Sequence, residues 1–155
     1  MTTTTTTMAD TAATDPAAVE DFCARWEKAW NDHDGDAVAA LCADHLVYDE
    51  PALGGTAYGP DSIRQFVNHM AGMFPDYSFT RMGLYGEVTR RAVLVAWRFG
   101  GTLAGTGHRV EFHGDDRVEL GEDGLIHAYR CLYDFKGVLD QIQAAPAPAS
   151  APAPE

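Results

Sequence analysis

The chain is short of positive charge. Eleven Lys and Arg stand against 23 Asp and Glu among 155 residues, a formal net charge of −12. With no basic run to neutralise phosphates, nucleic acid and anionic membrane are excluded as the main partners. Cysteine is scarce too: Cys23, Cys42 and Cys131 are odd in number and lack a C-x-x-C spacing, which points to reduced, buried thiols in a cytoplasmic protein. No apolar stretch approaches the roughly 18 residues of a membrane span. The N-terminal Thr run has no hydrophobic core, as a signal peptide would. The six histidines form no i,i+4 pair and no H-E-x-x-H string, so no metal is expected. G-x-S-x-G, P-loop and dinucleotide fingerprints are missing as well, which leaves a Ser nucleophile and nucleotide chemistry without support; no cofactor is expected.

What is present is apolar material, 46% of the residues, enough for one core in one domain. The most informative stretch is Arg109 to Phe135, which reads as two long strands joined by Gly121-Glu122-Asp123-Gly124. Strand alternation puts Val110, Phe112, Gly114, Asp116, Val118 and Leu120 on one face, and Glu111, His113, Asp115, Arg117 and Glu119 on the other. Asp116 is the one ionisable group on the apolar face. Desolvation there favours the neutral carboxyl unless donors compensate. An Asp lining a cavity is the functional expectation; an Asp bonded to backbone or a hydroxyl is the structural alternative. In the second strand, His127, Tyr129, Cys131 and Tyr133 share a face by the same alternation, with Tyr129 the best second donor near Asp116.

Ahead of these strands the chain reads as helices. Asp15-Pro16 is an N-cap followed by proline, and Val19, Phe22, Cys23, Trp26 and Trp30 follow at helical spacing. Asn31 to Gly35 breaks this helix, and Asp34 caps a short second one carrying Val38, Leu41 and Cys42. A short strand, Leu46 to Glu50, puts Tyr48 and Glu50 on one face, and its end beside Pro51 places Glu50 either toward the interior or solvated at the rim. Ala52 to Gly59 reads as a loop, and Gly59-Pro60 opens a third helix with Ile63, Phe66, Val67, Met70 and Phe74 on one side. Strands follow at about 77–87 and 91–100, then the hairpin, with a last helix near 137–143. Residues 1–14 and 144–155, rich in Thr and Ala and in Ala and Pro, are expected to be disordered tails around a domain at 15–143. Helices first and an antiparallel meander after is an α+β order.

The order and several local strings resemble the SnoaL-like polyketide cyclase branch of the nuclear transport factor 2-like superfamily. The strings are Trp30-Asn31-Asp32-His33-Asp34, Tyr48-Asp49-Glu50-Pro51, Gly59-Pro60, Val110-Glu111-Phe112-His113-Gly114, Asp123-Gly124-Leu125-Ile126 and Tyr133-Asp134, covering nearly all of residues 16–136. The resemblance implies a cone-shaped, curved antiparallel sheet wrapped around helices and enclosing one deep apolar pocket. It also implies a homodimer, which the mixed outer face of the long strands, including His113, would suit. Ketosteroid isomerase shares that fold and is a worked case of carboxyl tuning, with an Asp base and an oxyanion site made of a Tyr and a protonated Asp. By this resemblance Asp116 matches the protonated Asp, and the acid/base Asp of the cyclases, while Glu50 matches the isomerase's base. Trp26 stands where the isomerase has its Tyr. Limonene-epoxide hydrolases resemble the chain around Arg130, but their second catalytic Asp falls at Cys131, which disfavours epoxide hydrolysis.

The expected catalytic residues are therefore Asp116, Glu50 and Tyr129. Trp26, Phe22, Tyr48, Phe66, Met70, Phe74, Trp97, His127 and Cys131 are expected to bind substrate. The expected function is a cofactor-free cyclase or isomerase moving protons next to a carbonyl of an apolar polycyclic or polyketide-like molecule. A non-catalytic ligand-binding or dimerisation module of the same fold is the alternative. The discriminating observation is whether Asp116 and Glu50 converge on one pocket.

Overall fold

The computed structural model describes residues 15–87 and 91–147; most of both expected tails lies outside them. Helix α1 (Pro16–Asn31) starts as the sequence signals, the Asp15 side chain accepting from Ala17 N, and buries Phe22, Cys23, Trp26, Ala29 and Trp30. Helix α2 (Gly35–Ala40) is capped by Asp34, which accepts from Ala37 N. It is shorter than expected: Leu41 follows as its C-cap, and Cys42 already opens strand β1 (Cys42–Glu50). The segment read as a loop holds a 3₁₀ turn (Pro51–Leu53) and a four-residue strand, β2 (Gly55–Tyr58), antiparallel to β1. Helix α3 (Pro60–Met73), strands β3 (Ser78–Glu87), β4 (Ala92–Thr102), β5 (Arg109–Leu120) and β6 (Ile126–Tyr133), and helix α4 (Phe135–Gln143) complete the chain.

The six strands form one sheet in the order β2-β1-β6-β5-β4-β3. Neighbours from β3 to β6 are antiparallel, as the meander predicts, but β1 runs parallel to β6, so the sheet is mixed. Register breaks at Arg81/Gly83, Glu119/Leu120 and Cys42/Val47 add the local twist that lets the sheet curve around the helices. Aromatic rings fill the interior: Phe79 lies 5.6 Å from Trp30 and 5.1 Å from Trp97, and Phe112 lies 4.7 Å from Phe99, centroid to centroid. The three cysteines are free and buried, as expected. Among the described residues no helix is long and apolar enough to cross a membrane.

The string after α1 is what docks it on the sheet. Asn31 acts as a short piece of strand, its Nδ2 donating to Phe79 O at 3.0 Å and its Oδ1 accepting from Phe79 N at 2.7 Å. His33 turns the chain with φ 55°, stacks on Tyr77 at 3.9 Å and reaches the Tyr77 carbonyl through Nε2 at 2.8 Å. The Tyr77 hydroxyl donates back to Trp30 O at 2.9 Å. Replacing Asn31 by Ala strands one donor and one acceptor on β3. Asn31→Ala is expected to cost about 2 kcal/mol in urea unfolding; wild-type stability in that variant would show that solvent takes over both bonds.

Candidate functional site

Strand β5 carries Asp116 inward between Val95 on β4 and Cys131 on β6, and its residue is only 4% exposed. Burial of the apolar face read from the sequence is confirmed: Val110 and Val118 are fully buried, while Glu111 and His113 are exposed on the other side. The Tyr129 hydroxyl donates to Asp116 Oδ2 at 2.5 Å, and Trp26 Nε1 donates to that hydroxyl at 2.7 Å. An indole N–H can only donate, so Trp26 fills an acceptor position of Tyr129 and turns the phenolic proton toward Asp116. Asp116 Oδ1 is buried with no hydrogen-bond partner. Desolvation is the largest influence on this carboxyl and pushes it up to about 7; Tyr129, the nearby Trp97 N–H and Cys131 moderate the rise, and the charge of Glu50 adds to it. Burial also raises Tyr129 well above its usual range, so it remains a neutral donor.

Glu50 ends β1, on the same strand face as Tyr48, and is also 4% exposed. Its Oε1 accepts from Ala52 N at 3.0 Å, capping the 3₁₀ turn, and from the Tyr133 hydroxyl. Burial raises its pKa, while the Ala52 and Tyr133 donors pull it back toward the anion. The two carboxyls thus differ. Glu50 has two donors on one oxygen, and Asp116 has one donor and a bare second oxygen.

Both carboxyls line one cavity, together with Trp30, Phe66, Met70, Phe79, Trp97, Phe112, Cys131 and Tyr133. Asp116 and Glu50 thus converge on one cavity. Trp30, Phe79, Phe112 and Tyr133 were not among the expected pocket residues; Phe112 and Tyr133 share strand faces with Asp116 and Cys131, and that alternation was the available signal. The cavity is narrow, about 30 Å³, room for a water or two. A polycyclic ligand needs a site on the order of 300–1,000 Å³, and the aromatic rings occupy that room. An outer cleft of about 420 Å³ between β2 and α3 has Phe66 in its wall, and a second of about 270 Å³ has Glu50 and Cys131.

Several expected contacts stand elsewhere. His127 is outside the cavity: the register break between Glu119 and Leu120 skips it in the ladder, so Ile126 takes the buried position and His127 reaches Asp123 at 3.1 Å and His45 at 2.9 Å instead. Phe22 lines a different cleft, with Val19 and Leu120. Phe74 packs on Phe99 at 5.3 Å. Trp26 and Tyr129 sit behind Asp116 rather than in the cavity wall. Tyr48 is buried against Phe66 and Tyr129, its hydroxyl without a partner.

The curved sheet packed on helices is a ketosteroid isomerase-like α+β fold. Residues 19–129 match the model of the SnoaL-like domain, and the chain belongs to that family. No curated protein matches it in sequence. Among solved structures it is similar to a putative polyketide cyclase from Xanthomonas campestris pv. campestris, at 17% identity over 86% of this chain and 98% of that one, TM-score 0.67. It is also similar to SalBIII, an epoxide hydrolase/cyclase-like enzyme of pyran ring formation in salinomycin, at 18% identity over 79% and 95%, TM-score 0.69. A protein of ketosteroid isomerase-like fold from Catenulispora acidiphila, in complex with trimethylamine, matches at 20% identity over 78% and 91%, TM-score 0.69. At these identities the likeness is one of fold.

The raised pKa of Asp116 makes stability depend on pH with a definite sign. The native state holds this proton more tightly than the unfolded chain, so its contribution is complete below about pH 4 and is lost as pH rises through about 7. Glu50, the other acidic group facing the cavity, is raised too and acts in the same direction. Relative to Asp116→Asn, the wild type is expected to lose on the order of 4 kcal/mol between about pH 4 and about pH 8. Urea unfolding of both proteins across that range measures it; parallel stability curves contradict it.

Proposed function

We propose that the protein is a cofactor-free acid/base enzyme of the cyclase or isomerase kind, acting next to a carbonyl of an apolar small molecule. The observation that carries this is the convergence of Asp116 and Glu50, two buried carboxyls in unlike surroundings, on one apolar cavity. Pairs of titratable groups whose environments push them apart divide into acid and base. Glu50, with two donors favouring its anion, takes the proton from the carbon beside the carbonyl. Asp116, the more desolvated, is pushed up to about 7 and so keeps a protonated population at neutral pH, which gives a hydrogen bond or its proton to the carbonyl oxygen as the enolate forms. In a conjugated substrate the enolate then takes the proton held by Glu50 at another carbon, an isomerisation; or it attacks a second carbonyl, whose new alkoxide takes that proton, an aldol ring closure. In both the first carbonyl re-forms and any proton lent by Asp116 returns to it. Trp26 and Tyr129 act through Asp116, fixing its orientation.

A substrate larger than the cavity has to move its wall. Phe66 on α3 stands in the wall of both the cavity and the outer cleft, and Met70 one turn further along α3 also lines the cavity. Both are half-buried, and an unbranched Met repacks readily. The narrowness also favours a second reading, a non-catalytic module of the same fold, which predicts no proton exchange with any ketone.

The test does not require the natural substrate. In D₂O the wild type is expected to speed deuterium uptake beside the carbonyl of small cyclic ketones, followed by proton NMR. Asp116→Asn should lower that rate by at least ~10²-fold while the protein stays folded. An unchanged rate removes Asp116 from the chemistry, and no exchange by the wild type across the ketone series favours the second reading.

A further inference from the structure

We propose that Trp97 is a second donor to the substrate's oxygen, so that its indole N–H and Asp116 Oδ1 together form an oxygen-binding site. The idea rests on the acid/base reading above and names the group that reading lacks.

Buried polar side-chain atoms are almost always paired, and an exception calls for a missing partner. Among the described residues, Trp97 Nε1 and Asp116 Oδ1 are both such exceptions. Both residues line the cavity, they are 3% and 4% exposed, and the indole N–H lies near enough to Asp116 to help hold its proton affinity down. Oδ2 is already taken by Tyr129, which leaves Oδ1 as the oxygen that carries a proton toward the cavity. An indole N–H is a donor only, and a neutral carboxyl's second oxygen donates as well. Two donors at one place ask for an acceptor, namely a carbonyl or enolate oxygen. An ammonium group, which only donates, would leave the indole N–H unpaired.

The indole is held in place by a gap in the neighbouring strand. Trp97 on β4 pairs with Gly114 on β5, and a Cβ on Gly114 would stand 2.4 Å from Trp97 Cη2 and 2.5 Å from Cζ2. Only glycine lets the ring lie across the strand at that height, two residues from Asp116. Phe79 at 5.1 Å and 83° and Phe112 at 5.7 Å and 76° box the ring from its sides. A rigidly held donor lining the same cavity as a protonated carboxyl is an arrangement that stabilises charge developing on oxygen.

The probe is 4-nitrophenol, whose phenolate mimics an enolate oxygen and is read by its absorption; toluene, which has no acceptor, controls for the shape of the cavity. With the full chain, 4-nitrophenol is expected to bind preferentially as the phenolate and to shift the Trp97 indole ¹H–¹⁵N resonance, while toluene leaves that resonance nearly in place. Trp97→Phe keeps an aromatic ring and removes the N–H; it is expected to weaken phenolate binding by ~10-fold or more, the loss of one charge-assisted hydrogen bond, with toluene binding little changed. Equal binding of both probes by Trp97→Phe and wild type overturns the proposal, as does failure of the wild type to bind 4-nitrophenol at all. If Trp97→Phe binds normally while Asp116→Asn still loses ketone deuteration, Trp97 is only cavity wall and the acid/base reading survives. If Trp97→Phe loses the phenolate but Asp116→Asn deuterates normally, the oxygen site stands and the acid/base reading falls.

Discussion

Two hydrogen bonds in series, Trp26 to Tyr129 and Tyr129 to Asp116, set the chemistry of this interior. Their direction is forced. The indole has no lone pair to offer, so the phenol must accept from it and pass its own proton on. That leaves one oxygen of Asp116 saturated as an acceptor and the other bare. Without the chain, a carboxyl buried this deeply would have no fixed orientation. With a cation in place of the phenol, it would be an ordinary carboxylate. A neutral donor gives an intermediate result, a carboxyl that holds its proton near neutral pH and still has a defined face toward the cavity.

The aromatic interior works with this chain and also constrains it. Trp30, Phe79, Trp97 and Phe112 exclude water from both carboxyls, which raises their pKa values and strengthens any hydrogen bond made there. The same rings leave about 30 Å³ of free space. A dry site and a roomy one are in conflict at this size of domain, and the conflict falls on α3. Its Phe66 and Met70 are half-buried wall residues carried on a helix, whereas β4 and β5 are clamped by a full ladder of hydrogen bonds.

Much of the site was legible because strands carry a period of two. That period alone put Asp116 among apolar neighbours and Glu50 beside Tyr48. Asp116 lies buried as expected, and Glu50, which beside Pro51 could equally have sat at the rim, is buried too. Helix signals were equally plain at Asp15-Pro16 and Asp34. The period failed where one residue drops out of the ladder: the bulge beside Leu120 exchanged Ile126 for His127, and no local residue announces it. The parallel pairing of β1 with β6 and the short strand β2 were invisible for a related reason. Both depend on where distant chain segments meet, and Gly55 to Tyr58 is too short to show alternation. Phe22 and Phe74 were read correctly as apolar faces of helices, but periodicity gives a face and no depth along the axis, so it did not separate core from cavity. Trp97 and Gly114 were each visible, while their cross-strand contact required the register.

The chemistry of this cavity depends most directly on Asp116 holding its proton up to about pH 7. Infrared difference spectroscopy, wild type minus Asp116→Asn, isolates the carboxylic C=O band of this residue and follows it through a pH titration. The predicted result is a protonated carboxyl that titrates with a midpoint near about 7. A band that disappears near the ~3.9 of a free Asp would show an ordinary carboxylate in the cavity and contradict the account.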